Sequence, residues 1–180
     1  MANMQQLYSA VGGLVVFSLL LVVGLDHARH PEQTRDVIAA QRVWPRWAAP
    51  LVQTGLTSME LLVGGLGVAS LAVRVPAALE RALLLAAAIL YLSFATYGGL
   101  LLRWRPQAPC GCGTQGQVVS GWTIGRAAML AAVSGVLLLV ESPLVVSTAD
   151  LACLSIILLA GAALTVLLLR LPDIMVQPEG

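Results

Sequence analysis

Five long apolar runs leave this chain few folds to choose from. They extend from Tyr8 to Leu25, Leu51 to Val73, Leu79 to Leu102, Trp122 to Val140 and Ala149 to Leu169. A hydrocarbon core is crossed by about 20 such residues. Backbone groups in lipid must be satisfied within their own segment, so each run is expected to be a helix. Composition agrees: 58% of the chain is hydrophobic and 11% charged, against about a quarter charged in soluble domains. The expectation is an all-α integral membrane protein, one transmembrane domain over residues 1–180. Met1 to Leu7 carry no Arg or Lys, so the first run reads as a retained span and not a cleaved signal peptide.

Every basic side chain except the two histidines is an arginine, and the net charge is +1. That leaves no electrostatic footprint for nucleic acid. The arginines do set an orientation. Arg29, Arg35, Arg42, Arg46, Arg103, Arg105, Arg126 and Arg170 fall on one side of the five-span arrangement, with only Arg74 and Arg81 on the other. The majority side is expected to be cytoplasmic. The N-terminus is then outside and the C-terminus inside, in the inner (plasma) membrane of a bacterium. Within the first connection, Pro31 can open a helix. Residues 31–47 read as an interfacial helix followed by Trp44 and Trp47, or as a solvated connector.

Polar groups inside the spans mark the functional candidates. Gln53, Thr57 and Glu60 share one helix face at i, i+4 and i+7. Glu60 lies about ten residues into its span, roughly 15 Å along the helix, near the bilayer midplane. A carboxylate there must face the bundle interior and is paired or protonated. Arg126, one turn inside the fourth span, is its natural partner, unless it snorkels to headgroups. Tyr97 has a hydroxyl to offer to either. Gly64, Gly65 and Gly67, with Gly98 and Gly99, are expected to let helices approach closely, and the last two to loosen the end of the third span. Cys153 in the fifth span reads as a small buried hydrophobe.

The loop over 103–121 carries Cys110-Gly111-Cys112-Gly113. Pro106 and Pro109 stop the preceding helix. Two thiols one residue apart form only a strained ring, and strained disulfides are the labile ones. Arg103 and Arg105 nearby favour the reactive thiolate. Three readings stand: a dithiol relay through Cys110 and Cys112, a metal site completed by His27 and His30, and an idle exposed turn. No metal set is complete on either loop, and no cofactor motif occurs.

Three pieces in order carry a family resemblance: Ser58-Met59-Glu60-Leu61-Leu62-Val63-Gly64, then Cys110-Gly111-Cys112-Gly113, then Ser120-Gly121-Trp122-Thr123-Ile124-Gly125-Arg126. The chain resembles the methylamine-utilisation MauE family, in the wider DoxX-like group of small membrane bundles, over roughly Tyr8 to Val140. It departs from the usual pattern at Thr114, where an aromatic-glycine pair is typical, and at Asp26-His27-Ala28-Arg29, where a Lys-rich motif is typical. The resemblance implies a four-helix transmembrane bundle, here with a fifth C-terminal transmembrane helix. It also implies a redox-associated factor, linked to disulfide handling in the maturation of extracytoplasmic enzymes. Cys110 and Cys112 would exchange, supported by Glu60, Arg126, Tyr97 and Gln53. Such a protein has membrane lipids, other membrane subunits or a thioredoxin-like protein as partners. A non-catalytic accessory subunit of a transporter or lipid-import machine, and a small transporter using Glu60, are the alternatives.

Overall fold

The computed structural model describes residues 4–73, 75–110, 118–140 and 159–168. Its elements are α1 (Met4–Arg29), α2 (Pro31–Gln41), α3 (Ala49–Ala72), α4 (Ala77–Trp104) and α5 (Gly121–Leu139), followed by a short helix, α6 (Leu159–Leu168). Helices α1, α3, α4 and α5 are long and apolar enough to cross a membrane. Of the fifth expected span, residues 149–158 lie outside the described residues. Its remainder is helical over α6. Cys153 lies outside the described residues.

Helix ends follow local chemistry more closely than hydropathy does. The first apolar run stops at Leu25, yet α1 continues through His27 to Arg29, because polarity does not interrupt an i to i−4 ladder. Pro31 occupies the first turn of α2, where its missing N–H costs nothing. Helix α2 ends at Arg42 with φ 51°, a left-handed cap whose N–H bonds to Ala39 O. Helix α4 runs unbroken through Gly98 and Gly99 to Trp104, so the expected loosening does not occur; Pro106 follows two residues later. Ser120 caps α5 by accepting from the Thr123 N–H, which closes one of the orphan donors of its first turn.

Helix α1 packs along α3, and α4 along α5; α3 and α4 touch much less, although only residues 73–76 separate them in the chain. Glycines set the α1–α3 approach. A methyl group on Gly64 would sit 2.5 Å from Leu21 N, and one on Gly67 would enter the Phe17 ring. Gly65 has no comparable neighbour. The core gathers Val16, Phe17, Leu20, Leu84, Ala87, Tyr91 and Leu130. Tyr91 ties the two pairs together by donating to Val16 O at 2.8 Å. Outward faces remain apolar: Leu62, Ile89, Leu92 and Val136 are exposed, as suits helices whose solvent is lipid. Helix α6 rests on this bundle through Leu14 against Gly161 and Ser18 Oγ within 3.0 Å of Thr165 Oγ1.

Candidate functional site

The sparse contact between α3 and α4 leaves a cavity of about 320 Å³. Its wall uses the first half of α3 (Val52, Leu56, Glu60) and the second half of α4 (Tyr91 to Leu101), with α1, α2 and α5 closing the remainder. The two helices therefore splay toward the end that carries α2 and the thiol loop. The wall is almost wholly apolar, and its few polar groups include most of those singled out in the sequence: Glu60, Tyr97, Cys110 and Arg126, together with His27 and Gln41. Gln53 is not among them. It donates to Thr57 on its own helix at 3.4 Å.

Glu60 is 1% exposed and His27 5%. His27 Nδ1 lies 2.7 Å from Glu60 Oε2. Two features of the chain build this pair. Continuing α1 past Leu25 puts His27 seven residues beyond Leu20 and eleven beyond Val16, on the buried stripe. Gly24, one turn earlier, lets α3 in: a Cβ there would lie 2.9 Å from the Glu60 Cβ. A buried carboxylate is thus matched by an imidazole, which can hold a proton or pass it on.

Arg126, the expected partner of Glu60, is used differently. Its guanidinium donates to Leu168 O at 2.7 Å. It shares a helix face with Leu130, Ser134 and Leu137, all buried, so it turns inward and not out to headgroups. Arg126 also lines the cavity wall, and a guanidinium carries five N–H groups in all. Tyr97 likewise bonds neither Glu60 nor Arg126. It donates to Gln41 Oε1 at 2.7 Å, and Gln41 Nε2 donates in turn to Pro109 O at 3.0 Å. Gln41 completes the buried face of α2 with Thr34 and Ile38, at i, i+4 and i+7. Helix α2 therefore has a task, which is to clamp the start of the thiol loop.

The loop is also closed at its base. Pro109 and Val118 form an isolated antiparallel bridge, and the Val119 N–H bonds to Ala108 O at 3.0 Å. Leu101, Ala108 and Val119 pack under it, with Tyr97, Cys110 and Ile124 alongside. Cys110 is half-buried at the cavity wall. Cys112 lies outside the described residues. Among the described residues no group of three His, Cys, Asp or Glu side chains is placed to hold a metal ion.

The match to known proteins falls on this framework. A family model described as methylamine utilisation protein MauE covers residues 4–140, from the start of α1 to just past α5. The chain belongs to the MauE family. No curated protein and no solved structure matches it. The MauE match contains every residue of the cavity wall and leaves α6 beyond its end.

Two MauE-region residues that matter here escaped the sequence reading. His27 was weighed only as a metal ligand, and Gln41 was not considered. For both, the available signal was helical phase: Gln41 stands on the buried stripe of α2, and His27 on that of α1 once the helix is extended by one turn past Leu25.

Proposed function

We propose that this MauE-family protein is a membrane-embedded dithiol–disulfide relay, with Cys110 and Cys112 as the exchanging pair. The observation that carries the reading is that Cys110 borders the same cavity as a buried carboxylate–imidazole pair and an inward arginine. In each cycle the Cys110–Cys112 disulfide accepts two electrons and two protons from the dithiol of a thioredoxin-like partner, through a mixed disulfide, and the partner leaves oxidised. The glycine between the two cysteines suits a strained, exchangeable ring. The clamp from Tyr97 through Gln41 to Pro109 holds the approach to it.

The test is differential labelling. In membranes, a maleimide should label Cys110 and Cys112 in full only after reduction, and a Cys112→Ser variant should trap a mixed disulfide with its partner. Labelling indifferent to reductant, with both Cys→Ser variants functionally silent, removes the relay. One observation favours an accessory subunit instead. Gly121 and Gly125, at i and i+4 on α5, have open space where a Cβ would be, the pattern of a close helix–helix seam. That reading predicts stoichiometric co-purification with a second membrane protein in mild detergent.

A further inference from the structure

We infer that the cavity between α3 and α4 is a binding site for the ring of a lipid-soluble quinone. The inference deepens the relay reading, on which its electron-transfer step rests; the binding itself does not depend on that reading.

The geometry restricts the ligand step by step. The cavity holds about 320 Å³, at the lower end of the roughly 300–1,000 Å³ typical of small-molecule sites. Exposed Ser93, near the middle of α4, and half-exposed Trp44 belong to its wall. The space therefore reaches the outer surface of the bundle at the level of the spanning helices, where the surroundings are hydrocarbon. A ligand arriving that way is neutral and lipid-soluble. The wall of Leu19, Leu20, Val23, Phe94 and Leu130 suits a flat apolar body. A purely aliphatic tail would leave Arg126 and the His27–Glu60 pair unused, and burying these groups is costly in lipid. A ring bearing carbonyl oxygens uses them. Arg126 has N–H groups beyond the one given to Leu168 O, and a carbonyl oxygen accepts from them. The His27–Glu60 pair can hand over and take back a proton.

The redox step closes with this ligand. Reduced Cys110 and Cys112 lose two electrons and two protons as an S–S bond forms. The quinone takes up both electrons and both protons and leaves as the hydroquinone. A thioredoxin-like dithiol then reduces the S–S bond again. No other oxidant is needed, and no proton is gained or lost overall. Arg126 is assigned as the ring-binding donor, and His27 with Glu60 as the proton carrier.

The experiment uses the full-length protein in nanodiscs of defined phospholipid, titrated with decylubiquinone. Quenching of tryptophan fluorescence reports binding, since Trp44 is on the wall. Saturable quenching is expected. Ala127→Phe, which fills the cavity, and Arg126→Gln, which removes a charged donor, should each weaken it by at least about tenfold. An analogue with both ring oxygens methylated and the same tail should bind about tenfold more weakly for the same reason. Absence of saturable binding overturns the site. So does an affinity unchanged in both variants, or equal affinity for the methylated analogue, which would mark a tail-binding groove. Protein that is reduced, desalted and then mixed with quinone should form hydroquinone. Binding without that turnover upholds the site and removes the electron transfer from Cys110 and Cys112 to the ring; the labelling test then decides the relay by itself.

Discussion

Adding a single methyl group at Gly64 would place it 2.5 Å from the Leu21 backbone nitrogen. The neighbour is main chain and cannot swing aside. Gly64→Ala should therefore force α1 and α3 apart, at a cost of about 1–3 kcal/mol, as for other overpacked contacts. Gly99→Ala meets open space and should be silent. Thermal unfolding in detergent separates the two; an unshifted midpoint for Gly64→Ala would contradict the α1–α3 register. The His27–Glu60 pair supports a sharper expectation. His27→Leu leaves the Glu60 carboxyl group, 1% exposed, without its imidazole partner, a loss of about 1–3 kcal/mol. Replacing both residues by leucine removes the stranded polar group, so His27→Leu/Glu60→Leu should be more stable than His27→Leu alone. If the double variant is the weaker of the two, the pair is not the self-contained unit described. Glu60 was legible in the sequence because a carboxylate in a span announces itself. Its partner was not: His27 lies 33 residues away and just past the point where the apolar run ends.

At the scale of elements, α2 shows how a polar connector gains a structural role. Its mixed composition permitted either a surface helix or a solvated strand of chain. What decides is phase: Thr34, Ile38 and Gln41 fall on one buried face, with Glu32, Arg35 and Asp36 turned away. The chain Tyr97–Gln41–Pro109 then couples α4 and α2 to the thiol loop. Each such bond contributes about 1 kcal/mol net, so removing one should raise the open population of the loop roughly fivefold. Tyr97→Phe and Gln41→Leu are both expected to speed maleimide reaction at Cys110 by about that factor. Because they act in series, the double variant should be little faster than Gln41→Leu alone. Strictly multiplicative rates would mean that the two bonds do not form one clamp. This link was hidden from sequence reasoning, since a glutamine on a polar helix carries no sign of whom it bonds.

The whole molecule is two helix pairs held slightly apart. The four spans were legible from hydropathy alone. Their pairing was not, because small residues promise a close approach without naming the partner: Gly64 and Gly67 seat against α1, while α3 and its neighbour in sequence, α4, diverge. That divergence creates the cavity and brings Glu60, Tyr97, Cys110 and Arg126 to one wall, so the functional reading depends on architecture that no local motif specifies. It also fixes which end matters. The last turn of α1, helix α2, the start of α3 and the base of the thiol loop at Pro109 and Val118 all lie at the open end of the splay, and Arg29, Arg35, Arg42, Arg46, Arg103 and Arg105 lie there too. A surplus of arginine near span ends is retained on the cytoplasmic face. The open end, with Cys110, should therefore face the cytoplasm. An impermeant maleimide should label Cys110 in inverted membrane vesicles after reduction and leave it unlabelled in intact cells. Glutathione keeps cytoplasmic thiols reduced, so there the relay would be recharged readily and limited by its acceptor in the bilayer. The opposite labelling pattern would turn the protein over, place the loop among extracytoplasmic disulfides, and make the supply of dithiol the limiting step.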